Sequence, residues 1–209
     1  MGVSFCAFWF CSRSRSMYFG LSKNGPCSRR EMESISLTIL TEIHRKPDIN
    51  LQGRTIYRTA VRGVILRGQK LLLIHSSTVG DYKFPGGGVE EGETHAQTLE
   101  REIREECGAS LLNIGNEIGA VIEYDIPAEK EFDAFKMTSH YYQCEVGDEF
   151  GVQNLEGYEQ ELGFDPVWIN IKEAIARNKS LLAMKVPPMW LGREIFVLEY
   201  ILNQVTVER

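Results

Sequence analysis

The sequence predicts an α/β or α+β sandwich, a mixed sheet covered by helices, and three observations carry that expectation. Short β-branched runs alternate along the chain with runs whose apolar residues recur at helical spacing. Gly- and Pro-containing stretches separate them. The chain has 209 residues, 43% apolar and 25% charged, the usage of one globular domain with appendages rather than of a disordered polymer.

The elements follow in order. Residues 34–44 (SISLTILTEIH) suit a strand or a short helix. Residues 55–66 (TIYRTAVRGVIL) are β-branched and partly alternating, which predicts a strand. Lys70–Ser76 predicts a second strand, paired with the first across Arg67, Gly68 and Gln69. Gly80 and the run Pro85 to Gly88 break the chain into a loop. A helix is expected from Thr94 to Cys107, with Thr94 as N-cap, Gln97 closing a capping box and Gly108 ending it. Ala96, Leu99, Ile103 and Cys107 form its apolar stripe. Strands are expected at 117–124 and 137–146, and an acidic, glycine-containing mobile loop at 147–165. Pro166–Ile171 closes the sheet, followed by helices at 171–178 and near 189–204.

Charge separates the N-terminus from the rest. Residues 1–30 hold five bases and no acid, whereas the remainder holds 18 bases against 29 acids, a balance of −11. Residues 1–31 read as a tail without a fold of its own, and Met32 opens a more ordinary sequence that makes 32–209 the domain, with its core at about 55–178. The tail lacks the positive leader of a secretory signal, and its Arg- and Ser-rich, acid-free composition matches a transit peptide only loosely. No stretch approaches the roughly 20 apolar residues of a membrane span, so no membrane role is expected. The acidic balance disfavours a nucleic-acid polymer as partner. Five cysteines without regular spacing form neither a disulfide framework nor a zinc site, and point to a reducing, cytoplasmic setting.

The informative segment is 86–109, GGGVEEGETHAQTLEREIREECGA. Seven glutamates and only two arginines lie between Glu90 and Glu106. Glu102, Glu105 and Glu106 stand at i, i+3 and i+4 and share one helix face beside the apolar stripe. Three such carboxylates repel unless something neutralises them. A hard divalent cation with oxygen ligands resolves that conflict, and Mg²⁺ suits it because phosphate oxygens and water complete its shell. The glycines ahead of the helix let backbone groups approach a metal or phosphate closely.

The spacing Gly87-x5-Glu93-x7-Arg101-Glu102-Ile103-x-Glu105-Glu106-x-Gly108-Ala109 resembles the signature box of the Nudix hydrolases. At ordinary residue frequencies, an accidental match at a given start is on the order of 10⁻⁹. The resemblance implies a Nudix-type α/β/α sandwich with a mixed sheet and a loop–helix–loop box. It implies that Glu102, Glu105 and Glu106, with the carbonyl of Gly86, hold Mg²⁺ or Mn²⁺. Gly87, Glu93, Arg101 and Gly108 become structural residues of the box, Arg101 orienting Glu102.

The implied reaction is hydrolysis of a nucleoside diphosphate linked to another moiety, water attacking one phosphorus. Glu102 or Glu105 is a catalytic candidate within the box. In some members a glutamate from the loop before the last strand joins the site, and Glu161, seven residues before Trp168, is the candidate here. Phe84 is a candidate for stacking a substrate base. Asp125 stands where ADP-ribose enzymes often carry proline and dinucleoside polyphosphate enzymes tyrosine, so neither subclass is indicated. Ordinary or oxidised nucleoside triphosphates are the first expectation, ADP-ribose or a nucleotide sugar the second, and a silent nucleotide-sensing module the third. The family resemblance also allows a homodimer.

Overall fold

The computed structural model describes residues 37–207. The expectation of a tail at 1–31 lies outside them. Eight strands and four helices follow in order: β1 (Ile39–His44), β2 (Thr55–Val64), β3 (Leu66–Arg67), β4 (Lys70–Ser76), β5 (Tyr82–Lys83), α1 (His95–Cys107), β6 (Ala109–Asp125), β7 (Ala134–Phe150), α2 (Gly157–Leu162), β8 (Phe164–Asn170), α3 (Ile171–Leu181) and α4 (Leu191–Val207).

The strands form two four-stranded sheets. The first has the order β1-β6-β7-β2 and is mixed: β1 runs parallel to β6 and β2 parallel to β7, while β6 and β7 are antiparallel. In the second, β4 pairs antiparallel with β3 and β5 at its two ends and with β8 along its whole length. The stretch expected as one strand at 55–66 is thus divided. Thr55–Val64 joins β7, and only Leu66 and Arg67 keep the expected hairpin with β4 across Gly68. The ambiguous segment 34–44 resolves as strand β1, because β6 offers it a parallel edge.

Strand β4 shows how the layers form. Leu71 to Ile74 are each fully buried. Leu71 and Leu73 pack with Phe84, Val121, Tyr141 and residues of α3 and α4, whereas Leu72 and Ile74 pack with Leu99 and Ile103 of α1. The two-residue period of a strand thus feeds two cores, with α1 on one side and α3 with α4 on the other. The result is an α/β fold with a mixed sheet between helices.

Helix α1 begins as expected. The Thr94 side chain accepts from the Gln97 N–H, and Gln97 Oε1 accepts from the Thr94 N–H at 2.9 Å. Gly108 ends the helix with φ 65°, and its N–H donates to Arg104. The stripe differs from expectation at one position: Ala96 is exposed and Thr98 is buried. The buried surface is two parallel ridges, Leu99–Ile103–Cys107 and Thr98–Glu102–Glu106.

Strands β6 and β7 are each 17 residues long, well beyond the expected 117–124 and 137–146. Their register shifts at several points between Ala109 and Gly119, so hydrophobic alternation breaks down there although pairing continues. Helix α4 adds ionic contacts to its apolar packing. Arg193 donates to Glu123 Oε2 at 2.5 Å and to Glu194 Oε1 at 2.8 Å, while Glu123 also accepts from Arg45 at 2.6 Å. Burial opposes ionisation of Glu123, but Arg193 and Arg45 together hold its carboxyl below the ordinary value.

Candidate active site

The site starts from the glycine turn. Strand β2 lies beside Pro85–Gly88: Gly63 N–H donates to Pro85 at 2.8 Å and Val61 N–H to Gly87 at 3.0 Å. Gly86 has φ 134°, and a Cβ there would collide with the Val61 carbonyl oxygen. A Cβ on Gly87 would strike the Glu102 carboxylate instead. Both positions therefore require glycine, the first for the backbone and the second for the carboxylate behind it.

Glu102 and Glu106 point from α1 beneath this turn and are 8% and 4% exposed. The Gly86 N–H donates to Glu106 Oε2 at 2.7 Å, and the Gly86 carbonyl accepts from Arg62 Nη1. Burial pushes the Glu106 carboxyl up to about 8, with the neighbouring Glu102 adding to the effect. Glu102 is raised for the same first reason, partly offset by Arg101.

Arg101 is the brace. Its Nε and Nη2 donate to the two oxygens of Glu93 at 2.8 Å each, and its Nη1 donates to Glu102 Oε1 at 2.8 Å. The same Nη1 reaches Glu105 at 3.4 Å, and Nη2 reaches the Gly88 carbonyl at 3.3 Å. The hydrogen bonds from Arg101 and Thr98 hold Glu93 down at about 2. Glu93 and Arg101 thus lie in one chain of hydrogen bonds ending on Glu102, Gly87 lies against the Glu102 carboxylate, and Gly108 caps the helix.

A third carboxylate arrives from outside the box. Glu102, Glu106 and Glu159 each offer an oxygen, and the three oxygens lie within 4.8 Å of one another, all on buried residues. Glu159 sits in α2. Its Oε2 accepts from the Glu156 N–H at 2.8 Å, and its Oε1 accepts from the Tyr158 hydroxyl at 3.0 Å. Upstream, Gly151 N–H donates to Gly108 at 2.7 Å, Asn154 N–H donates to Glu105 at 2.9 Å, and Gln153 donates to the Glu106 carbonyl. The stretch expected as a mobile loop is stitched to the end of α1 and carries a helix.

Several expected site residues lie elsewhere. Glu161 is exposed and outside the acidic trio; its carbonyl accepts from Thr78. Helix α2 turns Glu159 inward and Glu161 outward, two residues being more than half a turn of helix apart. Glu105 is half-buried and stands beside Arg101 rather than in the trio. Phe84 is 1% exposed and packs edge-on against Tyr141 at 5.5 Å, which makes it core and removes it as a stacking surface. Lys83, absent from the expectations, lies over Phe164 at 3.6 Å and over Trp190 at 4.9 Å. Burial lowers its ammonium to about 8 against the pull of Asp81, Glu106 and Glu194.

An all-oxygen set of three clustered carboxylates is the donor chemistry of a hard divalent cation. The glycine turn places that donor set beside backbone groups able to approach a phosphate. The Nudix domain model matches residues 56–187, more than half the chain, and the protein belongs to the Nudix family. It is accordingly a hydrolase acting on phosphoric anhydrides.

The chain is similar to three curated proteins over parts of their length. The chain is 30% identical over 118 residues to an RNA pyrophosphohydrolase of Sulfurovum sp., a match covering 52% of this chain and 74% of that protein. It is 33% identical over 76 residues to an 8-oxo-dGTP diphosphatase of Haemophilus influenzae, covering 36% and 52% of the two chains. A match to a Helicobacter pylori RNA pyrophosphohydrolase, 41% identical over 58 residues, spans 37% of that relative's length. Among solved structures, a NUDIX hydrolase from Nitrosomonas europaea aligns with a TM-score of 0.49 and 22% identity, covering 71% of this chain and 90% of that one. No helix among the described residues is long and apolar enough to cross a membrane.

Proposed function

We propose that the protein is a Mg²⁺- or Mn²⁺-dependent pyrophosphohydrolase of nucleoside 5′-polyphosphates, with free ordinary or oxidised nucleoside triphosphates as its first substrate class. The observation that carries this reading is the buried trio Glu102, Glu106 and Glu159. Burying three carboxylates together is costly unless a cation joins them. When bound there, the cation supplies Lewis-acid polarisation of the phosphoryl group.

The chain's own residues do the rest. Glu102 is aimed by Arg101, and Arg101 is fixed by Glu93. Glu159 is a general-base candidate, because Tyr158 and the Glu156 N–H orient its two oxygens toward the trio. Glu105 is a further metal-ligand candidate at the edge of the site, beside Arg101.

A second reading has its own support. The Sulfurovum relative is named an RNA pyrophosphohydrolase, and triphosphorylated RNA presents the same 5′-polyphosphate as a free nucleotide. The net acidity of the chain favours the small substrate. Buried, unpaired Cys107 and Cys144 fit a reducing, cytoplasmic setting.

The test is phosphate and pyrophosphate release by the full chain with Mg²⁺ or Mn²⁺. The panel is nucleoside triphosphates, 8-oxo-dGTP, ADP-ribose, a nucleotide sugar and 5′-triphosphorylated RNA, with Glu106→Gln as blank. Turnover of free triphosphates above all others supports the first reading, and preference for the RNA installs the second. Turnover that survives excess EDTA or Glu106→Gln removes both.

A further inference from the structure

Arg62 stands where the site's charges meet, and the roles assigned above do not use it. Its Nη1 donates to the Gly86 carbonyl, whose own N–H is committed to Glu106. Its charge acts on both Glu102 and Glu106. Its Nε is buried and has no hydrogen-bond partner. The guanidinium is thus fastened to a neutral carbonyl at one end and unsatisfied at another, although carboxylates lie close by.

That arrangement is a poor end state for an arginine. A buried, unpaired donor is costly, and a guanidinium is built to grip two oxygens of one phosphate or carboxylate at once. Arg62 comes from β2, directly opposite Tyr141 of β7, whose hydroxyl is also buried without a partner. Ser139 Oγ, two positions along the same face of β7, is a third such group. Of the three, only Arg62 acts on Glu102 and Glu106; the Tyr141 ring packs in the core with Phe84, and its hydroxyl feels Glu194, Arg193 and Glu123. Arg62 is therefore the cationic donor at the trio, and the complement of its guanidinium is an anionic oxygen ligand.

We propose that Arg62 is a substrate-positioning residue that competes with the divalent cation for the Gly86 turn and releases the Gly86 carbonyl to grip a phosphoryl oxygen. This rests on the pyrophosphohydrolase reading. Like charges beside one acidic cluster repel, so Arg62 weakens cation binding when no nucleotide is present. Once a polyphosphate enters, the guanidinium and the cation bind oxygens of the same anion, and the conflict becomes cooperation. A purely structural role for Arg62, as a clamp on the glycine turn, predicts the opposite sign for the first effect, because loosening the turn would weaken cation binding.

The experiment is a Mn²⁺ titration of the full chain followed by electron paramagnetic resonance, without and then with α,β-methylene-ATP. Arg62→Met and Arg62→Gln are compared with the parent protein. Glutamine removes the charge while keeping a polar amide donor on a shorter side chain, so it carries the test if the methionine variant does not fold. Without nucleotide, both variants are expected to bind Mn²⁺ more tightly, on the order of tenfold. With Mn²⁺ saturating, both are expected to bind the analogue about tenfold more weakly. Unchanged or weaker Mn²⁺ binding in the variants overturns the inference and leaves the pyrophosphohydrolase reading intact. A parent protein that binds no Mn²⁺ overturns that reading and this inference with it.

Discussion

The backbone N–H of Gly86 donates to Glu106 Oε2 at 2.7 Å, so one hydrogen bond ties the glycine turn to a buried carboxylate of the acidic trio. The Glu106 carbonyl in turn accepts from Gln153, which binds the chain leading to Glu159. Turn, helix and third carboxylate are thus held by one residue.

The two glycines of the turn should fail differently when substituted. Gly86→Ala places its Cβ against the Val61 carbonyl at φ 134°, and the backbone cannot yield cheaply. A loss of about 3 kcal/mol is expected in urea unfolding. Gly87→Ala meets only the end of the Glu102 side chain. It should keep stability within about 1 kcal/mol while turnover falls about a hundredfold. Equal destabilisation by both would contradict this assignment.

The Glu93–Arg101 pair should be visible in the acid limb of stability. Glu93 sits at about 2 in the folded protein, below the ordinary 4.5. A depressed carboxyl stabilises the fold above its unfolded value and loses that contribution as pH falls through the folded one. Thermal melts of the parent and of Glu93→Gln should differ by a constant amount above about pH 5 and converge toward about pH 2. Curves parallel across that window would show that the pair does not act through ionisation.

Glu106 should produce the reverse. Its folded value of about 8 lies above 4.5, so burial favours the protonated form. The fold then loses stability as pH rises from 4.5 toward 8, because only the unfolded chain ionises freely there. In EDTA, Glu106→Gln should melt several degrees above the parent at about pH 8 and match it near pH 4. A difference of constant size across that range would count against the burial argument.

Neighbouring acids of α2 should separate cleanly. Glu159→Gln removes a member of the trio, and a fall in kcat of about a hundredfold is expected. Glu161→Gln alters an exposed acid and should leave kcat within about twofold. A steady-state comparison in which Glu161→Gln is the slower variant would reverse the roles.

Local interactions made parts of this protein legible in advance. The Thr94–Gln97 capping box, the Gly108 end and the acidic face of α1 are set within a few residues of each other, so spacing alone reveals them. The two-sided burial of Leu71 to Ile74 likewise shows in an uninterrupted apolar run. The lengths of β6 and β7 were hidden, because register shifts erase the alternation that marks a strand. The exposure of Ala96 was hidden as well, since Thr98 takes the buried place on a helix that also buries carboxylates.

The sequence by itself determined which carboxylates stand on one helix face and which glycines precede them, since both follow from helical pitch and backbone freedom. Only the tertiary structure decided that Glu159 and not Glu161 completes the trio, that Phe84 is core, and that Arg62 reaches Gly86. Those outcomes depend on how α2 turns and on how β2 lies along the glycine turn. Contacts between segments 24 to 57 residues apart leave no periodic trace in the chain.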